Sequence, residues 1–517
     1  MLLRYKTFFI LNLSFLISNF VFATDDANSC RSCHSQEKLG TVQFSQSAHG
    51  NFECVDCHQG FTATIGTDNS VPHGIGKAEA MKTCVNCHEG SLGKPDLVTH
   101  AGQATAPDSG LPFCLDCHGD PHVIRVASTL SPVVHRQHMS ERCLTCHDDG
   151  GENAGKPVLQ IGEIKDVHKG RIADTYEHSV HGRKLYLGSN KAPGCADCHG
   201  GHVQTNLKVD RIKVCAQCHK DVTAAFGTLI DHEPYTWDKK PVSFVTIKFF
   251  ALLTFLTILG LCLHVAMDLF GTVRRWFKGQ PLRLPHHGPD AHQTVQRFDI
   301  HQRLQHGLMA LSFTLLVLTG WPLAQTKVST SQTWVKLFGG IDGAGLVHRM
   351  AAVILILASL YHLIYLIMLG GKRKLRLSML PMPKDVMDAF QNILYFLGLR
   401  NEPPKFGRFS YIEKFDYWAV FWGMFIMAGS GFLRWFPETA TKYLPAWVYE
   451  IGLHAHTDEA LLAAMAIFLW HFYNVHLRPA VFPMSRVFLH GQLTVTELKH
   501  EHPLEYEELV RQGKIRE

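Results

Sequence analysis

The chain has 517 residues, 46% of them apolar and only 18% charged. At roughly 150 residues per folding unit this length excludes a single small domain. The net charge of +5 is spread without a long basic stripe or aromatic–basic interleaving, which argues against a nucleic-acid partner. The mean hydropathy of zero averages two unlike halves, a polar one rich in His and Cys and an apolar one.

Arg4 and Lys6 precede an apolar run over 7–22, and Val21-Phe22-Ala23 offers a cleavage site before Thr24. Residues 1–23 therefore read as a secretory signal peptide, the alternative being an uncleaved anchor. In either case the following segment is exported.

Fourteen of the fifteen cysteines fall into one repeated pattern, Cys-x-x-Cys-His. The copies are Cys30-Cys33-His34, Cys54-Cys57-His58, Cys84-Cys87-His88, Cys114-Cys117-His118, Cys143-Cys146-His147, Cys195-Cys198-His199 and Cys215-Cys218-His219. This is the signature of covalent c-type haem attachment. Two thiols at that spacing reach both vinyl groups of one porphyrin, and the adjacent His becomes the proximal iron ligand. Paired zinc sites or a disulfide framework would not explain a His at the same place seven times.

Distal ligands can come from eleven further histidines: His49, His73, His100, His122, His135, His138, His168, His178, His181, His202 and His232. Met81 and Met139 are weaker candidates. His49 and His181 stand in a Ser-x-His-Gly context, which resembles distal-ligand contexts in multihaem cytochromes, as do the Cys-His-Gly lead-ins before His122 and His202. Seven haems on residues 24–240 leave too few side chains for an aliphatic core. The expected domain is packed around haem, loop-rich and built of short helices, and it conducts electrons as a wire.

After Pro241 five apolar stretches of spanning length follow, at about 243–268, 305–325, 347–369, 415–435 and 457–477. Residues 241–478 read as a membrane domain and 479–517 as a tail. Basic residues concentrate in 271–303 and 371–414, the latter including Lys372-Arg373-Lys374, whereas the intervening loops hold few. Those basic loops belong in the cytoplasm, which puts the haem domain outside and the C-terminus inside. Cys262 reads as a small apolar helix residue.

Imidazoles inside spans are costly unless used. His348 and His362 lie about 21 Å apart along a helix and about 40° from one face. His456 and His471 are similarly spaced. These spacings set His348 with His456 near the outer surface and His362 with His471 near the inner one, as two stacked b haems require. His264 and His306 lie at similar depth to the inner pair.

The run Arg303-Leu304-Gln305-His306-Gly307, followed by Leu318-Thr319-Gly320, resembles the first ligand helix of the membrane cytochrome b subunits of formate dehydrogenases and nickel–iron hydrogenases, a cytochrome b561-like family. The resemblance implies an inner haem on His306 and His471 and an outer haem on His348 and His456. His362 departs from that pattern and matches instead the spacing of the bc-complex cytochrome b, so the fourth ligand stays open between His306 and His362.

Almost the whole chain is similar to inner-membrane fusions of a multihaem cytochrome c with a dihaem cytochrome b. The fold expected is an all-α bundle of five transmembrane helices with two b haems, plus the exported seven-haem domain, in a bacterial inner membrane. The function expected is that of an oxidoreductase. Menaquinol or ubiquinol would be oxidised beside a b haem, and electrons would pass to a periplasmic cytochrome or reductase. Quinone-site candidates are His264, Asp268, His301 and Glu413. The alternatives are a quinone reductase fed by periplasmic donors, an electron-carrier or anchor subunit, and a terminal reductase with an open c haem.

Overall fold

The computed structural model describes residues 44–58, 77–88, 114–118, 136–147, 172–200, 207–280, 293–326, 328–373 and 376–515. The signal segment, the first attachment motif (Cys30, Cys33, His34), and His73, His100, His122, His135, His168 and His202 lie outside these residues. His138 falls within a described helix, but its side chain is not among those described.

In chain order the helices of the polar half are α1 (Cys54–Cys57), α2 (Lys77–His88), α3 (Cys114–His118), α4 (Arg136–His147), α5 (Ile172–His178), α6 (Val180–Tyr186), α7 (Cys195–His199), α8 (Leu207–Ala216) and α9 (Ala224–Gly227). The apolar half begins with α10 (Pro241–Phe277), strand β1 (Thr294–Gln296), α11 (Ile300–Ala324), α12 (Ser329–Lys336) and α13 (Gly340–Gly371). It continues with α14 (Pro383–Leu397), α15 (Tyr411–Trp435), α16 (Pro437–Tyr443) and α17 (Ala446–Ala466), which runs on through π-helical turns to Leu477. The tail holds α18 (Val487–His490), strand β2 (Gln492–Thr494), α19 (Val495–Glu501) and α20 (Pro503–Arg511).

The chain divides into two compact units, Met1–Ala173 with Pro193–Asp210, and Asp174–Ala192 with Arg211–Glu517. In the first unit each described motif sits on a short helix. Helical spacing explains why: Cys at i and i+3 and His at i+4 present both thiols and the imidazole on one side. The motif helices adjoin in sequence order. Helix α1 lies beside α2, α3 beside α4, and α4 beside α7, while the thiols of Cys84 on α2 and Cys114 on α3 hydrogen-bond. The second to sixth motifs thus form a string.

Among the described residues of the second unit four helices are long and apolar enough to span a bilayer: Pro241–Phe277, Ile300–Ala324, Gly340–Gly371 and Ala446–Leu477. Tyr411–Trp435 makes a fifth when taken with Pro437–Tyr443, from which it bends by 99°. The helices outrun the apolar stretches that announce them. Helix α10 continues to Phe277, α13 starts at Gly340 and α17 at Ala446, because hydrogen bonding carries a helix past the point where its side chains turn polar. Their apolar side chains mostly face outward, as Phe249, Phe255, Leu357 and Phe425 do, the arrangement lipid demands.

Local signals fix the helix starts. Pro241, Pro383 and Pro437 occupy the first turn of their helices, where the missing N–H costs nothing. Asp299 with Gln302 and Ser410 with Glu413 form capping boxes on α11 and α15. Helix α14 lies between spans with Asp388 and Asn392 buried and Val386, Met387 and Phe390 exposed, the pattern of an interfacial amphipathic helix. It ends at Gly398 (φ +82°), where any Cβ would collide with the guanidinium of Arg274.

Close packing runs within two helix pairs, α11 with α13 and α15 with α17, with α10 laid against α17. The segment before the sixth motif packs on the same unit. Leu187 joins a buried cluster with Val335, Ile341 and Ala344, and Gln332 Nε2 donates to the Tyr186 carbonyl at 2.7 Å. At the opposite end, which carries the basic loops, the tail returns to the bundle. Strand β2 pairs antiparallel with β1, Val295 opposite Leu493, and Leu493, Val495, Leu498, Leu509 and Ile515 form a small core.

Candidate haem sites

Among the described residues, four pairs of imidazoles face one another at nearly the same separation. Ring centroids lie 6.3 Å apart for His306 and His471, 6.4 Å for His348 and His456, 6.0 Å for His181 and His219, and 6.1 Å for His49 and His88. A metal–imidazole bond of about 2 Å on each side, with each nitrogen about 1 Å from its ring centre, calls for about 6 Å. The residues present fit iron porphyrin held between two histidines.

The first two pairs bridge the two helix pairs of the bundle. His348 on α13 meets His456 on α17 at the far end, and His306 on α11 meets His471 at the basic end. His471 lies within the π-helical turn of α17, a backbone departure frequent at functional sites. His362, which spacing alone pairs with His471, is turned elsewhere. Its Nδ1 lies 2.9 Å from Gln305 Oε1 and its Nε2 3.0 Å from the Tyr417 hydroxyl. The reason is helical phase: the partner of His471 is supplied by α11, which no spacing along α13 reveals.

The outer pair is framed symmetrically. Thr319 Oγ1 donates to the Leu315 carbonyl and so accepts from His348 Nδ1 at 2.9 Å. Ser430 Oγ, donating to the Ile426 carbonyl, accepts from His456 Nδ1 at 3.0 Å. Each bond fixes the tautomer that leaves Nε2 free for a metal. Beside them Gly320 and Gly431 keep Cβ atoms away from the two rings. At the inner pair a carboxylate takes this part, with His471 Nδ1 3.0 Å from Asp416 Oδ2. Arg434 lies near both outer rings and Arg349 beside His348, guanidinium groups suited to haem propionates.

His49 and His181 are framed alike, with a serine accepting from a different backbone N–H in each. Ser47 accepts from the His49 N–H at 3.2 Å, and Ser179 accepts from the Gly182 N–H at 3.0 Å. In each case the following glycine backs onto a carbonyl, Phe44 behind Gly50 and Tyr176 behind Gly182, where a Cβ would not fit. This is the physical content of the Ser-x-His-Gly pattern. Burial, then the neighbouring His219 and Lys184, push His181 down to about 4, which keeps it neutral. His178 is exposed, and His232 Nδ1 lies 3.3 Å from Thr175 Oγ1. His58, His118, His147 and His199 close the helices of their motifs.

The four quinone-site candidates engage three separate sets of partners. His264 Nε2 lies 2.6 Å from the Tyr411 hydroxyl, which also accepts from Asn392, and the nearby buried Asp268 accepts from Tyr473. These contacts tie α10 to α14, α15 and α17. His301 is exposed, 2.6 Å from the Tyr361 hydroxyl. Glu413 caps α15 and approaches Arg297 at 3.4 Å. Besides Asp416, a polar group formed by His362, Gln305 and Tyr417 includes the chain neighbours of His306 and Asp416. Gln305 precedes His306, is 7% exposed, and has a buried amide nitrogen with no hydrogen-bond partner. Nothing local in the sequence distinguishes Gln305 or Tyr417 from ordinary helix residues.

Residues 297–488, somewhat over a third of the chain, match the family model for prokaryotic cytochrome b561. The match takes in α11 to α17 with His306, His348, His362, His456 and His471, and leaves out α10 and most of the tail. It supports a b-type membrane cytochrome over these residues, an electron-transfer module that holds haem b. A comparison with curated proteins finds no match.

Proposed function

We propose that the chain oxidises a membrane quinol at the basic end of its bundle and delivers the electrons, through two b haems and seven c haems, to a periplasmic cytochrome or reductase. One observation carries this reading: within a single unit, the pairs His306/His471, His348/His456 and His181/His219 succeed one another from the basic end through the far end to the exported segment. Haem at these pairs would supply one-electron iron chemistry. The concentration of basic residues in the loops at that end supports a cytoplasmic side for the quinol end, in a bacterial inner membrane.

A quinol becoming quinone releases two electrons and two protons, so a base must stand beside the inner pair. His362 fits. A Gln305 Oε1 that accepts from Nδ1–H leaves the Nε2 lone pair for a quinol hydroxyl in the place now taken by Tyr417. The free amide of Gln305 offers a donor to the same headgroup. One helical turn towards the basic end, Tyr365 donates to Asp299 at 2.6 Å, and Tyr361, next to His362 in the chain, meets the exposed His301, a polar route to the surface. Protons released there while electrons move outward would consume membrane potential.

His49 opposite His88 and His181 opposite His219 favour closed, six-coordinate sites at the third and seventh motifs, which disfavours substrate reduction at either. The test is reduction of the c haems by menaquinol in proteoliposomes, with a quinone-analogue inhibitor blocking it. Pyridine haemochrome spectra should give seven c haems to two b haems. No b haem, or no response to quinol, rejects the reading.

A further inference from the structure

We propose that the seventh attachment motif belongs to the membrane unit, with His181 as its distal ligand, and that Glu438 of the bundle sets the potential of that haem by acting through the proximal His219. The inference rests on the haem reading above and deepens it by naming the residue that joins the two haem groups.

Three independent contacts place the motif. His219 Nδ1 lies 2.8 Å from Glu438 Oε1. A carboxylate only accepts, so Nδ1 carries the hydrogen and Nε2 is left to face His181. The segment after the motif is anchored to the helix that carries Glu438. Helix α9 packs on α16, Thr223 caps α9 and donates to the Thr441 carbonyl at 3.4 Å, and Phe226 lies 4.9 Å from the His219 ring. On the other side His181 is fixed by the Ser179 cap and by the close turn at Gly182. Backbone docking, and not one flexible side chain, holds the carboxylate against the imidazole.

A carboxylate on Nδ1–H makes the imidazole a stronger donor, and a stronger donor favours ferric over ferrous iron. Glu438 is therefore a positioning residue that keeps this haem low in potential. The outer b pair, held by the neutral hydroxyls of Thr319 and Ser430, lacks that bias, whereas the inner pair shares it through Asp416.

The experiment is a potentiometric titration of the full-length protein, followed by c-band absorbance and low-temperature EPR, for wild type, Glu438→Gln and His181→Ala. In Glu438→Gln all seven c haems should remain attached. One of them should show a rise of about tenfold in its ferrous-to-ferric ratio at fixed potential, or about 59 mV for a one-electron couple. Should Glu438→Gln lose haem, Glu438→Asp takes its place and should show a smaller rise in the same haem. In His181→Ala one c haem should turn high-spin and bind carbon monoxide. Unchanged midpoints in the Glu438 variant that retains haem, or no new high-spin c haem in His181→Ala, overturn the proposal. Neither outcome touches quinol oxidation, which fails only if the unaltered protein lacks b haem or ignores quinol.

Discussion

Gly431 stands against the edge of His456 so closely that an added Cβ would lie 3.4 Å from the ring's Cε1, and Gly320 bears the same relation to His348 at 3.3 Å. Each glycine follows the hydroxyl residue that holds the Nδ1 of that ring, Ser430 or Thr319. The pattern of hydroxyl, glycine and facing histidine thus occurs twice, once per helix pair. A side chain at either glycine would enter the space between the pairs. Gly320→Leu and Gly431→Leu are each expected to lose the outer b haem and keep the inner one. Pyridine haemochrome should fall from two b haems to one with the c haems intact.

His306 and His362 should separate cleanly. His306→Ala removes half of the inner pair, so one b haem should be lost and quinol-dependent reduction of the c haems abolished. His362→Ala should retain both b haems, with unchanged optical spectra, and slow quinol-dependent reduction of the c haems by about a hundredfold or more, the usual loss on removing a general base. Loss of a b haem in His362→Ala would assign it as a ligand instead.

What could be read from the sequence follows from the range of each interaction. The Cys-x-x-Cys-His motifs are local, and their short helices follow from the spacing. His348, His456 and His471 stand out because imidazole is rare in apolar spans. The choice between His306 and His362 depends on which of two helices faces α17 at the inner level, and neither residue's neighbours along the chain encode that. Thr319-Gly320 is marked in the sequence by a family resemblance, while Ser430-Gly431, its counterpart, is two small residues among many until the ring of His456 lies beside it. The link from His219 to Glu438 spans 219 positions, and three-residue strands such as β1 and β2 have too few residues to show alternation.

Lys240, at the entry to the first span, donates to Glu450 at 2.7 Å and to Asp231 at 3.0 Å, and Ser243 donates to the other oxygen of Glu450 at 2.8 Å. Glu450→Ala would leave the part-buried ammonium with Asp231 alone and Ser243 without its acceptor, a change that costs less than the ~3–5 kcal/mol of a fully unpaired buried charge. The loss should appear as a lower thermal midpoint, larger than that of Asp231→Ala. Burial opposes the charge of Lys240, but its hydrogen bonds to Glu450 and Asp231 outweigh burial and hold its pKa above the ordinary value. A raised amine contributes stability that is complete below its unfolded pKa and is lost as pH rises through the folded one. Wild type should therefore lose thermal stability at alkaline pH beyond about 10.4, and Glu450→Ala should lose less there, having less to lose.

The tail is tied down at Arg297, which is 5% exposed and binds Glu505, the Arg408 carbonyl and, at 3.1 Å, His502 Nε2. His502 is enclosed by charge, with Glu413 and Glu501 near it and its Nδ1 2.8 Å from the Gly407 carbonyl. Burial, then the Arg297 guanidinium, push its pKa below the ordinary 6.5. A base depressed in the folded state contributes stability present above its unfolded pKa and lost as pH falls through the folded one. Docking of residues 487–515 should accordingly weaken below pH 6.5, seen as faster amide exchange or proteolysis confined to the tail, with the b-haem spectra unchanged. His502→Gln, which keeps hydrogen bonding without a titrating ring, should flatten that dependence. Glu505→Ala should weaken docking of the tail at every pH, because it leaves the buried guanidinium of Arg297 with Glu413, 3.4 Å away, as its remaining carboxylate and removes the partner of Arg408.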